Sequence, residues 1–305
     1  MFNAKRASAN AIINRVMSNV NGIGQSKTEA RNNSGKFGEN GHKVSDKAHS
    51  IKEVQNLRTL TKQYVNFVKE NYAGKVAGNI NADSAKAFLI DKAEILKGST
   101  INTYLSEFKK ISDGLNKDGI GNLNRQDIQS IKQELKEDYN LSKEHINRAY
   151  NNTQAIQNEM RQTTMSLSAD LQIEAGLRVN DSLNSSKWQI NTDNTLTIYG
   201  SKGGIAYTTA PLSNELIQRV AEAKEMGYKA NYTEYREALK EATLQTNQEY
   251  NKHGTHGLRY NFAQNRYLEL RENGATHNEA RGQVSLEMGH SRLDITDHYA
   301  SYVYY

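Results

Sequence analysis

Arg178, Lys202, His256, Arg259, His290 and Tyr299 are six side chains that one reaction can use together. Arg178 stands in Ala175-Gly-Leu-Arg-Val-Asn-Asp181 and Lys202 in Gly200-Ser-Lys-Gly-Gly204. His256-Gly-Leu-Arg259, Met288-Gly-His290 and Tyr299 follow within the last 50 residues. The chemistry that wants a tyrosine among cations and imidazoles is transfer of a DNA phosphodiester onto the phenol. The ester is an anion, so a nucleophile is repelled until that charge is neutralised. Negative charge then concentrates on the nonbridging oxygens, and a guanidinium fork matches two of them. Arg178 and Arg259, from different elements, would clamp the phosphate from two sides. Losing one such donor typically costs on the order of 10²–10³ in rate. A phenol has an unperturbed pKa of about 10, so Tyr299 needs neighbouring cations and an imidazole to attack. His256 lies three residues before Arg259, so one helix face would present a proton carrier and a clamp. The leaving sugar oxygen must be protonated, a task for Lys202 on a hairpin turn.

Each residue also has a plainer reading. Taken alone, Arg178 is a surface arginine behind a helix and Lys202 a solvated turn lysine. His256 and Arg259 can be a structural pair at a helix start, and His290 a cap or core histidine. Tyr302, Tyr304 and Tyr305 compete with Tyr299, whose spacing from His290 singles it out. His253 and His256 hint at a metal pair, but no third ligand stands at a suitable spacing, so neither metal nor cofactor is expected. The glycine-rich turn around Lys202 lacks the spacing of a nucleotide phosphate loop. His277 and His298 read as surface residues.

The elements that must position these residues are mostly helical. Ile51, Val54, Leu57, Leu60, Tyr64 and Val68 recur every three or four residues, the mark of an amphipathic helix. A second helix is expected near residues 83 to 96. A third would be capped by Ser99 or Thr100, with Ile101, Tyr104, Leu105, Phe108 and Ile111 on one face. Gly119 to Asn122 punctuate; Asn124 would cap the next helix and Ser142 a further short one. Residues 48 to 148 thus read as a small helical bundle whose apolar stripes are core. The second domain spans 150 to 305. Residues 165 to 175 look like a buried helix running into Gly176. The runs 195 to 199 and 205 to 209 are β-rich and read as a hairpin across the glycine turn. Pro211, the only proline, falls where the second strand should end. Helix follows, with a break at Asn273-Gly274. The expected class is mainly α (α+β): a helical bundle, then a mixed α/β domain with a small antiparallel hairpin.

Composition narrows the function. A chain of 305 residues suits two domains of ordinary size. No apolar run approaches the ~20 residues that cross a bilayer, and no secretory pattern opens the chain. A cytoplasmic protein with no membrane partner is expected. The absence of cysteine excludes disulfides, thiolate metal sites and cysteine nucleophiles. The net charge of +5 lies wholly in the first 50 residues, with eight basic against three acidic side chains. Residues 1 to 47, rich in Asn, Gly, Ser and Lys, read as a basic, flexible arm with a short helix from Asn10 to Val20. Such an arm is either drawn to a polyanion or simply solvated.

Together these residues resemble the tyrosine recombinases, the phage and plasmid integrases of mobile genetic elements. In that family an arginine in Gly-Leu-Arg follows a buried helix and an acidic residue comes shortly after; here these are Arg178 and Asp181. A lysine sits on a β-hairpin turn leading to Pro-Leu, here Lys202 and Pro211-Leu212. His-x-x-Arg precedes aromatic and small residues, here His256-Gly-Leu-Arg259 and Tyr260-Asn-Phe-Ala263. A Gly-His pair precedes the nucleophile by nine residues, here His290 and Tyr299. The likeness covers about residues 150 to 301, and the preceding bundle is similar in position and size to the family's core-binding domain. There are departures. Six residues follow Tyr299, where many relatives carry a C-terminal helix that docks on a neighbouring subunit. Residues 272 to 282 lengthen the gap before Gly-His. Asp181 replaces the commoner glutamate and would keep an orienting carboxylate.

The resemblance implies a site-specific DNA recombinase. Tyr299 would attack the scissile phosphate to give a 3′-phosphotyrosyl bond. Arg178 and Arg259 would hold the phosphate, His256 would move the proton with His290 in support, and Lys202 would protonate the leaving oxygen. The implied partners are double-stranded DNA, four protomers on two duplexes and accessory DNA-bending factors. Two rival readings remain open: a type IB topoisomerase-like nicking and relaxing enzyme, and a non-catalytic DNA-binding accessory protein.

Overall fold

The computed structural model describes residues 3, 6–38, 41–141, 146–290 and 292–304. The chain forms two compact units, Met1–Glu144 and His145–Tyr305, a division a few residues before the one read from the sequence. The expected cap at Ser142 lies outside the described residues.

The first unit is helical throughout: α1 (Ala9–Val20), α2 (Lys27–Asn33), α3 (Ile51–Asn71), α4 (Ala82–Ala93), α5 (Gly98–Asn116) and α6 (Arg125–Asp138). The stripe on α3 buries Leu57, Leu60, Tyr64, Val65 and Val68, and that on α5 buries Ile101, Leu105, Phe108 and Ile111. Tyr64, Phe88 and Phe108 meet at the centre, Tyr64 and Phe108 edge to face and the other two pairs tilted. Asn124 caps α6 reciprocally with Asp127. The start of α5 differs from expectation. The helix begins at Gly98 behind Lys97, not behind Ser99 or Thr100. Gly98 lies against the backbone of Asn140 and Leu141, where a Cβ has no room. Tertiary packing thus sets this helix start ahead of the local capping signal.

Part of residues 1 to 47, the stretch read as a flexible arm, packs against the bundle. Ile12, Ile13, Val16, Met17 and Val20 of α1 are buried in the same core as α3 and α5. Alone, this segment lacks the apolar surface to order itself; the bundle supplies the other half of the contact. Its positive charges are partly engaged within the unit. Arg15 forks onto Asp118, Lys36 pairs with the buried Asp113, and Lys47 donates to the Asn19 carbonyl at 2.6 Å.

The second unit comprises α7 (Thr153–Met160), α8 (Ser166–Glu174), α9 (Val179–Ser182), α10 (Asn214–Glu225), α11 (Tyr232–Gln245), α12 (Tyr250–Glu272), α13 (His277–Glu287) and α14 (Leu293–Ala300). A three-stranded antiparallel sheet, β1 (Trp188–Ile190), β2 (Leu196–Ile198) and β3 (Tyr207–Thr208), sits between α9 and α10 in sequence. The expected hairpin is β2–β3, and β1 adds a strand with Trp188 opposite Ile198. The described residues are mainly α with this one small sheet, as the sequence pattern predicted. No helix among the described residues is long and apolar enough to cross a membrane.

Candidate active site

The site is built around a break in α12. Gly254 has φ 61° and ψ −173°, so the helix restarts after it. A side chain is strained in this backbone region, and glycine removes that cost. The break is held by one upstream segment. Arg148 Nη2 donates to the His253 carbonyl at 2.8 Å, and the Tyr150 hydroxyl donates to the Gly254 carbonyl at 3.0 Å. His253 Nδ1 lies 2.9 Å from the Arg148 carbonyl, so this histidine is committed to the backbone. A Cβ on Gly257 would stand 2.6 Å from that same carbonyl. Leu258 enters the core. The two remaining positions of the motif, His256 and Arg259, share the face turned to the site.

Arg259 is 1% exposed. It donates through Nη1 to the Gly176 carbonyl and through Nη2 to the Met288 carbonyl at 2.5 Å; Nη2 also lies 2.9 Å from His290 Nε2. An arginine has no acceptor, so His290 Nε2 accepts and its ring is neutral with the proton on Nδ1. Burial first, then Arg259 and Arg178, hold the His290 pKa down at about 3. Burial likewise lowers the pKa of Arg259. Arg259 Nε and His290 Nδ1 are buried donors without a partner among the described residues.

Arg178 reaches the same place from the start of α9. Its Nη2 donates to the Gly289 carbonyl at 3.1 Å and its Nη1 to Ser201 Oγ at 3.0 Å. Its guanidinium lies over the Tyr207 ring, 5.7 Å from the centroid. Gly289 has φ 63°, and a Cβ there would stand 2.5 Å from that ring. Asp181 is buried and takes a donated bond from Ser201 Oγ at 2.5 Å and an ion pair from Lys187 at 2.7 Å. The Trp188 indole donates to its carbonyl at 2.7 Å.

Tyr299, on α14, is 6% exposed and its hydroxyl lies 2.6 Å from His256 Nε2. The His290 ring stacks on its ring at 5.4 Å, and the Arg259 guanidinium lies 5.8 Å from the same centroid. Gln264 Nε2 donates to the Tyr299 carbonyl at 3.0 Å, tying α14 to α12. The His256 pKa is held at about 3, first by burial, then by Arg259 and Arg148. Its imidazole is therefore neutral at neutral pH and able to take or give one proton at Nε2.

Five of the six residues singled out in the sequence thus gather at one point: Arg178, His256, Arg259, His290 and Tyr299. Lys202 does not join them. It is exposed on the β2–β3 turn, one residue from Ser201. Asp181 supports Arg178 through Ser201 rather than by direct contact. Residues the sequence reading missed include Ser201, Lys187, Tyr207, Arg148 and Gln264. Only Ser201 carried a signal, its place beside Lys202. Two histidines set aside as surface residues are half-buried with partners: His298 lies 2.8 Å from the Tyr260 hydroxyl and His277 2.8 Å from that of Tyr267. Each faces an aromatic packed around α14, contacts that no sequence spacing displays.

No protein-family model matches the chain, and no curated protein matches it in sequence. Its fold does match solved structures. XerH site-specific recombinase in a post-cleavage complex with palindromic difH is similar over 96% of this chain and 91% of that one, with 12% identity and a TM-score of 0.62. The pre-cleavage complex of XerH with difH matches 81% of this chain and 76% of that one, with 14% identity and a TM-score of 0.57. A lambda integrase tetramer bound to a Holliday junction matches 83% and 72%, with 14% identity and a TM-score of 0.50. At these identities the likeness speaks to architecture, and it agrees with the resemblance read from the motifs: this chain has the mainly helical fold of the tyrosine recombinases.

Proposed function

We propose that this protein is a site-specific DNA recombinase that cuts and rejoins DNA through Tyr299. The observation that carries the reading is the 2.6 Å contact between Tyr299 and His256, placed among Arg178, Arg259 and His290. The phenolic oxygen attacks the scissile phosphorus and its proton passes to His256 Nε2. The bond to the 5′-oxygen of the next nucleotide breaks, and Lys202 protonates that oxygen. The charge of a phosphate between the arginines opposes the Arg259 and Arg148 cations that, after burial, depress His256. The bond energy stays in the 3′-phosphotyrosyl linkage, so reversal by a partner strand's 5′-hydroxyl needs no nucleotide or metal.

In this reading Met1–Glu144 is the core-binding domain and His145–Tyr305 the catalytic domain. Each contributes to DNA binding, and four protomers join two duplexes; the similar lambda integrase structure is a tetramer bound to a Holliday junction. The test is strand exchange between two labelled duplexes carrying DNA that flanks the gene. Recombinant products support the proposal. Relaxation of supercoiled DNA without exchange points to the topoisomerase-like reading, and binding without cleavage to the accessory reading.

A further inference from the structure

The turn that carries Lys202 is built largely from glycines and exposed residues. Gly200, Gly203 and Gly204 all have positive φ, of 59°, 86° and 75°. From Gly200 to Ala206 every residue except Ser201 is exposed, whereas Ser201 is 3% exposed. The backbone bonds of the turn, Ser201 N to the Ile205 carbonyl at 3.1 Å and Gly204 N to the Ser201 carbonyl at 2.8 Å, stay within it. Among the described residues, one side chain ties it to the body of the unit. Ser201 Oγ donates to Asp181 Oδ2 at 2.5 Å and accepts from Arg178 Nη1 at 3.0 Å. Only a hydroxyl does both at this size, since it is donor and acceptor in one atom. Both of its bonds involve a charged partner, the stronger class of hydrogen bond. Asp181 is itself fixed from its other oxygen by Lys187 at 2.7 Å.

We infer that Ser201 is a positioning residue that sets Lys202 against the leaving oxygen by fastening the turn to Arg178 and Asp181. Arg178 does not depend on it to the same degree. That guanidinium keeps the Gly289 carbonyl and the face of Tyr207 when the hydroxyl is gone, but the turn keeps no other buried side chain. The loss from removing the hydroxyl therefore falls on protonation of the leaving group, not on phosphate binding. This inference rests on the proposed function, and the experiment separates the two.

Single-turnover cleavage is measured on two duplexes, one with the ordinary 5′-oxygen at the scissile bond and one with a bridging 5′-sulfur. The thiolate leaves without being protonated. Ser201→Ala and the near-isosteric Ser201→Cys should both slow cleavage of the oxygen duplex by roughly 10²-fold or more, the range for general acid catalysis. Both should return to within a few-fold of wild type on the sulfur duplex, as Lys202→Ala should. Ser201→Thr, which keeps the hydroxyl, should stay near wild type on both. Unchanged cleavage of the oxygen duplex by Ser201→Cys overturns the inference, and so does a loss that the sulfur duplex fails to restore. If Ser201→Ala does not fold, as its melting temperature will show, Ser201→Cys decides. If wild type forms no adduct on either duplex, the proposed function itself fails.

Discussion

Arg259 shows how much one side chain is asked to do. It is buried, touches two carbonyls and a histidine, and its Nε has no partner among the described residues. Lysine cannot reproduce that fork. Arg259→Lys should lower cleavage on the order of 10²–10³-fold in single-turnover assays, and a variant within a few-fold of wild type would remove the arginine from the clamp. The two imidazoles give a pH signature. His256 and His290 have folded pKa values of about 3 against an ordinary 6.5, so they stay neutral while the unfolded chain takes up protons. Their contribution to stability is complete above about pH 6.5 and is lost as pH falls from there toward 3. The melting temperature should drop across that window, and the drop should shrink in the double variant His256→Gln, His290→Gln. An equal drop in that variant would place the titration elsewhere. The sequence displayed the charged residues because each stands in a short motif. Ser201, Lys187 and Gln264 act through single bonds to distant residues, and nothing in local spacing reports such bonds.

At the level of elements, the site depends on glycines that let the chain turn sharply. Gly254 breaks α12 and Gly289 turns its carbonyl to Arg178 beside the Tyr207 ring. Gly289→Ala meets both an unfavourable φ and that ring. It should destabilise the protein by about 1–3 kcal/mol and depress cleavage further than stability alone explains. A variant with wild-type melting and cleavage would contradict this geometry. The helical stripes of α3, α5 and α6 were legible because their periodicity is regular over several turns. The role of α1 was not, because its apolar residues sit in a polar, glycine-rich stretch and gain burial only from α3 and α5. Ile12→Ala should cost about 2–5 kcal/mol in urea unfolding, as for other buried aliphatic truncations. A change below 0.5 kcal/mol, the scale of an ordinary surface substitution, would restore the flexible arm. The extra strand β1 was missed for a related reason: three residues are too few to show a period.

Over the whole molecule, charge and fold point the same way. The excess of +5 resides in the first unit's opening residues, and several of those cations already pair within it. Binding to DNA should weaken steeply with salt through the remaining phosphate contacts, a slope read from titrations at several salt concentrations. The fold alone is shared with proteins at 12–14% identity, so architecture does not decide whether this chain cuts DNA. That rests on one oxygen. A library of nicked duplexes, randomised at the core and able to lose the cleaved fragment, would trap any covalent complex. Digestion and mass spectrometry would then locate the attached nucleotide. The expected result is a 3′-linked nucleotide on Tyr299, absent from Tyr299→Phe protein that still binds DNA. Attachment at Tyr260 or another residue, an adduct that persists in Tyr299→Phe, or no adduct across the library would contradict the account.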